Sequence, residues 1–222
     1  MVDGCCKRNH PGVKDLMPLN GSYEEKFILN RVGISNGDLI LCLRIARVNH
    51  DCKPNADHRY DETFKAVVLF AQRDIAKGEE ITICYQQFHD IAGNMSASTS
   101  RSALQDKWSI VCPEDCFCYD TQMQTLIARS RELDGRIYSV ARQGYSQQAL
   151  ELVNELMGCH EILGSSFLNK ERTLNDGFQI ALKSKDTVAA RKYIEGLYAI
   201  SSATLSPESL EVIDLKQKKR LL

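Results

Sequence analysis

No stretch of this 222-residue chain approaches the ~20 consecutive apolar residues that a membrane-spanning helix needs. Charge of one sign is also scarce. The formal net charge is −1, so the strongly basic face expected of a nucleic-acid binder has no source in the overall composition. Residues 1–14 contain no hydrophobic signal core, and secretion is therefore not expected. The basic tail of Lys216, Lys218, Lys219 and Arg220 is short and reads as a solvated helix end rather than a targeting patch. What remains is ordinary for a globular protein: 43% hydrophobic and 26% charged residues. The length suits one domain with a satellite, or two small domains. Nine cysteines, scattered rather than framework-spaced, point to a reducing compartment with thiols available for burial or metal. An intracellular protein, nuclear or cytoplasmic, is expected.

Along the chain, residues 1–20 are polar with a turn signal at His10-Pro11-Gly12, and predict a weakly structured segment. Ser22 with Glu25 three residues on is a capping-box pattern, and Phe27, Ile28 and Val32 supply a helical stripe ending at Gly33. Asn36-Gly37 is a turn signal, and Leu39 to Ile45 is an apolar run whose state the period leaves open. Asp57 to Thr63 reads as a polar connection, Lys65 to Ala71 as a buried strand, Lys77-Gly78 as a turn and Ile81 to Tyr85 as the returning strand. Gly93 to Ser102 has linker composition, and a short helical stretch then leads through Leu104 to Trp108.

Beyond Tyr119 the pattern is helical. One helix carries Leu126, Leu133, Ile137 and Val140 and stops at Gly144; a second starts at Ser146 and carries Leu150, Val153, Leu156 and Met157. A third lies around Phe167 to Leu182. A fourth begins at the N-cap Asp186 and presents Ala190, Tyr193, Ile194 and Leu197, and Ser206-Pro207-Glu208 predicts the start of a fifth. The alternation suggests helical hairpins of the tetratricopeptide (TPR-like) kind, although no strict 34-residue period is present; a plain helical bundle stays open.

Two separated segments carry the chemistry. Asn49-His50-Asp51-Cys52-Lys53-Pro54-Asn55 is followed by Arg73-Asp74-Ile75-Ala76-Lys77-Gly78-Glu79-Glu80-Ile81-Thr82-Ile83-Cys84-Tyr85. In this order and separation they resemble the C-terminal half of a SET domain, the fold of protein lysine methyltransferases. The resemblance implies S-adenosyl-L-methionine as cofactor, with Asn49, His50 and Tyr85 as cofactor-binding residues and Tyr85 as the catalytic residue that orients the attacking amine. It also implies that the motif segment threads a loop made by the later strand, bringing Tyr85 beside it. Asp51 stands where relatives commonly have serine. Glu79 and Glu80 read as structural residues of the turn.

Cys112, Cys116 and Cys118 follow Trp108 within Cys-Pro-Glu-Asp-Cys-Phe-Cys. They resemble the post-SET cysteine cluster of the branch that also has a MYND finger and a helical C-terminal domain. There, three such cysteines join the cysteine of the Asn-His motif around one structural zinc, which makes Cys52, Cys112, Cys116 and Cys118 the implied metal ligands. Such a site would order the lid of the substrate channel. Relatives usually space the trio Cys-x-Cys-x-x-Cys, whereas this chain has Cys-x-x-x-Cys-x-Cys; small buried thiols are the plain alternative. Cys5, Cys6, Cys42, Cys84 and Cys159 read as unpaired, the last three as core residues outside any disulfide, and Cys5-Cys6 carries no further assignment.

Neither a glycine-rich strand segment nor a MYND cysteine–histidine array precedes Asn49. The expectation is an α+β protein: a partial SET-type β fold with a zinc knuckle, then an all-α helical domain. The expected boundaries are 1–20 for the N-terminal segment, 21–92 for the partial SET domain, 93–120 for linker and knuckle, and 121–222 for the helices. The implied function is SET-type protein-lysine N-methyltransferase, truncated relative to a full domain, acting on a protein lysine with histones among the candidates. The alternatives are a catalytically inactive relative that binds protein through its helical domain, and a zinc-knuckle adaptor without cofactor.

Overall fold

The computed structural model describes residues 2–3, 11–33, 37–85 and 97–222. The architecture is mixed α+β, with short strands in the first part and a succession of helices in the last. The chain divides into two compact units, residues 1–85 with 102–111, and residues 86–101 with 112–222. The expectations for Cys5, Cys6 and Asn36, and for the start of the linker at 93–96, lie outside the described residues.

In the first unit a 3-10 turn (Pro11–Asp15) leads to α1 (Tyr23–Asn30). Ser22 and Glu25 make the reciprocal capping box: Glu25 N donates to Ser22 Oγ at 3.2 Å and Ser22 N to Glu25 Oε2 at 2.7 Å. The expected apolar stripe differs. Ile28 is 60% exposed, and Val32 lies in β2 (Arg31–Gly33). The buried position of α1 is Lys26. Its ammonium donates to the carbonyls of Lys14 (2.6 Å), Leu16 (3.0 Å) and Leu19 (3.0 Å), which uses all three of its protons and makes burial tolerable. Part of the segment expected to be weakly structured is thereby pinned to α1.

β2 pairs antiparallel with β3 (Leu39–Leu41). The undecided apolar run thus begins as a strand, and its end, Ile45, opens a 3-10 turn (Ile45–Arg47). β5 (Ala56–Asp61) pairs antiparallel with β6 (Ala66–Ala71), which also carries β1 (Val2–Asp3) on its other edge. The polar connection expected at Asp57 to Thr63 is therefore mostly strand. Its polar residues hid the alternation, but β6 supplies a full set of ladder partners, from Ala56 opposite Ala71 to Asp61 opposite Ala66. The buried Asp61 closes the hairpin by accepting from Thr63 N at 2.8 Å and Phe64 N at 3.2 Å. Val32, Cys42, Ile45, Val48, Ala56, Val67, Leu69 and Ile83 form the small core.

The division between units falls within α2 (Ala97–Trp108), so helix already occupies much of the stretch expected as linker. In the second unit a 3-10 turn (Phe117–Tyr119) precedes α3 (Thr121–Arg142), capped by Asp120, whose Oδ1 accepts from Gln122 N (2.8 Å) and Met123 N (3.3 Å). Then come α4 (Ser146–Leu163), α5 (Phe167–Lys183), α6 (Thr187–Thr204) and α7 (Leu210–Leu221). Each packs on the next. Gly144, at φ +89°, ends the α3 side of the first reversal in a conformation L side chains rarely adopt. Leu133, Leu150, Val153, Leu156, Phe178, Tyr193, Ile194 and Leu197 fill the core. Gly177 lets α5 and α6 approach: a Cβ there would meet the Tyr193 ring at 2.8 Å. The last helix starts later than Ser206-Pro207-Glu208 predicted. Ser206 instead makes a turn, accepting from Glu208 N at 3.2 Å through Oγ and from Ser209 N at 3.0 Å through its carbonyl, and Ser209 is the N-cap.

Candidate active site and cysteine cluster

Asn49–His50 forms β4, and Thr82–Ile83 forms β7. The two pair in parallel, Asn49 opposite Thr82 and His50 opposite Ile83, and Asp51 N continues the ladder to Ile83 O at 3.0 Å. The expected returning strand over 81–85 is thus only two residues long, and it pairs with β4 rather than returning along β6. Two-residue strands have little ladder of their own, so side chains supply the remaining fastening.

Asn55 does most of it. Buried to 2% exposure, it donates through Nδ2 to Glu79 Oε1 (2.9 Å) and Glu80 O (2.8 Å) and accepts from Thr82 N at Oδ1 (3.0 Å). Its own carbonyl accepts from Gln72 N at 2.8 Å. Sequence reasoning quoted Asn55 within the motif without giving it a role. The available signal was a side-chain amide held directly behind a proline. Asn49 is exposed, and its Nδ2 donates to Glu80 Oε1 at 2.5 Å. Glu79 is a turn residue, as expected: it accepts from Arg73 Nη2 at 2.5 Å and from Ala76 N at 3.0 Å. The bonds from Arg73, Asn55 and the Ala76 amide hold its carboxyl at about 2.

Tyr85 stands next to His50, with ring centroids 5.4 Å apart. Tyr85 N donates to His50 Nδ1 at 3.0 Å, and Tyr85 Oη donates to Val48 O at 2.6 Å. Burial raises the phenol above its ordinary range. Burial also lowers the His50 imidazole, opposed by the Asp51 charge and the Ile83 carbonyl. Trp108 completes an aromatic wall that sequence reasoning missed. Its ring lies 5.3 Å from that of Tyr85 at 53°, and its Nε1 donates to Leu29 O at 3.3 Å. The contact joins residues far apart in sequence, and no local pattern carries it.

Cys52 is a buried thiol of the first unit, with His50 Nε2 at 3.3 Å from its sulfur. In the second unit the sulfur atoms of Cys112, Cys116 and Cys118 all lie within 4.8 Å of one another, a group that could hold a metal ion. Burial, then the neighbouring Cys116 and Cys112, push the Cys118 thiol up to about 12. Three sulfurs this close cannot all ionise without a countercharge, and a divalent cation would supply it. The soft thiolate donor set suits zinc. Cys42 and Cys159 are buried, as core residues are, whereas Cys84, expected in the core, is partly exposed. Among the described residues no helix is long and apolar enough to cross a membrane.

The two motif segments lie side by side as a short parallel ladder, and residues 14–86 match the SET domain family. Histone-lysine N-methyltransferase set5 of Schizosaccharomyces pombe is 43% identical over 69 residues, 31% of this chain and 22% of that protein. Histone-lysine N-methyltransferase SMYD3 of Homo sapiens is 33% identical over 102 residues, 44% of this chain and 22% of that protein. The chain thus carries a SET domain match over residues 14–86 and is homologous to SET-type histone-lysine methyltransferases, of whose length it spans about a fifth.

Proposed function

We propose that this chain takes part in S-adenosyl-L-methionine-dependent methylation of protein lysine, with Asn49, His50 and Tyr85 at the methyl donor and Tyr85 at the reaction centre. The observation that supports this best is the parallel pairing of Asn49-His50 with Thr82-Ile83, with Tyr85 against His50. The bound donor would supply a methyl group on a sulfonium. Asn49, its Nδ2 engaged by Glu80, would offer Oδ1 as an acceptor for the donor's ammonium. Tyr85 Oη already donates its proton to Val48 O, so its lone pairs accept from the lysine nitrogen and aim the nitrogen's own lone pair. Holding the reactants in line is worth roughly 7–11 kcal/mol in well-oriented cases. A lysine with an ordinary pKa near 10.4 must first lose its proton, and the aromatic wall of Tyr85 and Trp108 favours the neutral amine by excluding water. The upward-shifted phenol stays protonated at neutral pH, so its role is positional.

Zinc belongs to the same reading: Cys112, Cys116 and Cys118 would hold it, with Cys52 of the Asn-His motif as the fourth, thiolate, ligand. Four thiolates make a closed structural site. The named relatives act on histones, so a histone lysine is the first substrate to try. In this reading 21–92 is the SET portion, 93–120 the connection and knuckle, and 121–222 a TPR-like domain. A second reading, a non-catalytic protein-binding module, draws on α3–α7, where each helix packs on the next as in stacked hairpins.

Titration calorimetry with S-adenosyl-L-methionine separates the readings. The methyltransferase predicts saturable binding, and Tyr85→Phe keeps that binding while methyl transfer to a histone peptide falls by 10-fold or more. Silence at millimolar donor leaves the binding module. Equal loss of binding and transfer in Tyr85→Phe removes the role given to the hydroxyl.

A further inference from the structure

The imidazole of His50 is held at both nitrogens. Nδ1 lies 3.0 Å from the backbone N–H of Tyr85, and Nε2 lies 3.3 Å from Cys52 Sγ. A backbone amide can only donate, so Nδ1 must offer its lone pair. With Nδ1 accepting from Tyr85, the ring proton falls to Nε2, on the side of the sulfur, and the Ile83 carbonyl is a second acceptor for the ring. The same ring therefore links the residue at the reaction centre to the sulfur two positions along its own loop.

We propose that His50 is a positioning residue for Cys52 as a metal ligand: Nε2–H donates to the ligand thiolate while Nδ1 fixes the backbone at Tyr85. The proposal rests on the zinc reading above and adds a partner behind one of its ligands. An N–H···S bond holds the cysteine side chain in one orientation and spreads its negative charge, as groups behind metal ligands do elsewhere. The reverse also follows. A sulfur fixed by a metal fixes the imidazole, and the imidazole fixes the amide at Tyr85, so the ion steadies the reaction centre without touching it. The sequence carries the device in Asn49-His50-Asp51-Cys52: the strand ends at His50, and the bend at Cys52 brings its sulfur back to the ring, 3.3 Å from Nε2.

Two substitutions take the ring apart one nitrogen at a time. In His50→Asn the side-chain oxygen falls near the place of Nδ1, so the bond from Tyr85 N–H persists and the donor to sulfur is lost. In His50→Gln the longer amide reaches the place of Nε2, so the donor to sulfur persists and the acceptor for Tyr85 is lost. The test is competition of the zinc-loaded full chain against a chromogenic chelator, with amide exchange at Tyr85 followed by NMR. Fluorescence of Trp108 checks that each variant is folded. His50→Asn is expected to weaken zinc about 10- to 100-fold with slow exchange at Tyr85 retained. His50→Gln is expected to hold zinc near the wild-type level with Tyr85 exchange accelerated. Equal zinc affinity in His50→Asn and wild type overturns the proposal, and so does equal weakening in both variants. A wild-type chain that takes up no zinc overturns it together with the zinc reading, while the calorimetric result with the methyl donor stands apart from either outcome.

Discussion

The two units of this chain are held by different physics. The second is a run of helices of 12 to 22 residues whose apolar faces meet in one core, to which buried polar links such as His160 to Thr173 are added. Among the described residues the strands of the first are no longer than six residues, and two of those at the site have only two. There, buried or half-buried polar side chains do the joining: Asn55 to the 79–82 turn, His50 to Tyr85, Lys26 to three carbonyls. An apolar core forgives shifts along a face, whereas a hydrogen-bonded crossing of two segments specifies individual atoms. That arrangement suits the proposed reaction centre, and it concentrates the risk in few residues.

The sharpest contrast comes from one truncation on each side. Leu156 is fully buried in the helical core, and Leu156→Ala is expected to cost about 2–5 kcal/mol through lost transfer energy and the cavity left behind. Helical circular dichroism during denaturant unfolding measures it. Asn55→Ala removes a smaller side chain but strands the amide of Thr82 and the carbonyl of Glu80. About 2–3 kcal/mol is expected, since an unsatisfied buried group costs roughly 1–3 kcal/mol. Trp108, the chain's one tryptophan, belongs to the first unit and reports that loss. Should Asn55→Ala leave the Trp108 transition unmoved, the crossing is not held by polar bonds and the contrast between the units fails.

The same difference governs what could be read in advance. The helices from α3 to α6 were legible because a 3.6-residue stripe repeats over several turns, and the punctuation at Gly144 and Asp186 has a local mechanism. The error at α7 was also local: Ser206 and Ser209 are both good caps, and pattern alone did not show which one the chain uses. In the first unit legibility dropped. β5 was missed because its residues are polar and its existence depends on β6, while Lys26 is buried only because three distant carbonyls converge on it. The neighbourhood of His50 and Tyr85 came from a family resemblance, and no period or propensity in this chain would have produced it. Asn55 and Trp108 had no role assigned because the side-chain partners named above are 23 to 79 residues away.

A gentler way to probe the polar unit is to titrate it. Glu79 is held at about 2 by its bonds from Arg73, Asn55 and Ala76, against an ordinary glutamate value near 4.5. A carboxyl depressed on folding stabilises the folded state fully above the unfolded value and loses that contribution as pH falls through the folded one. The window is therefore about pH 4.5 down to about pH 2, with the first unit loosening on acidification. Because Glu79 lies at the surface, this is the smallest of the effects expected here. Glu79→Gln isolates it from the other carboxylates. At neutral pH the variant should be slightly less stable by Trp108 fluorescence, and the two curves should converge as acid protonates the wild-type carboxyl. Parallel curves throughout the window would mean that the Arg73–Glu79–Asn55 contact contributes nothing to folding. Asn55 would then have to hold the crossing through Glu80 O and Thr82 N alone.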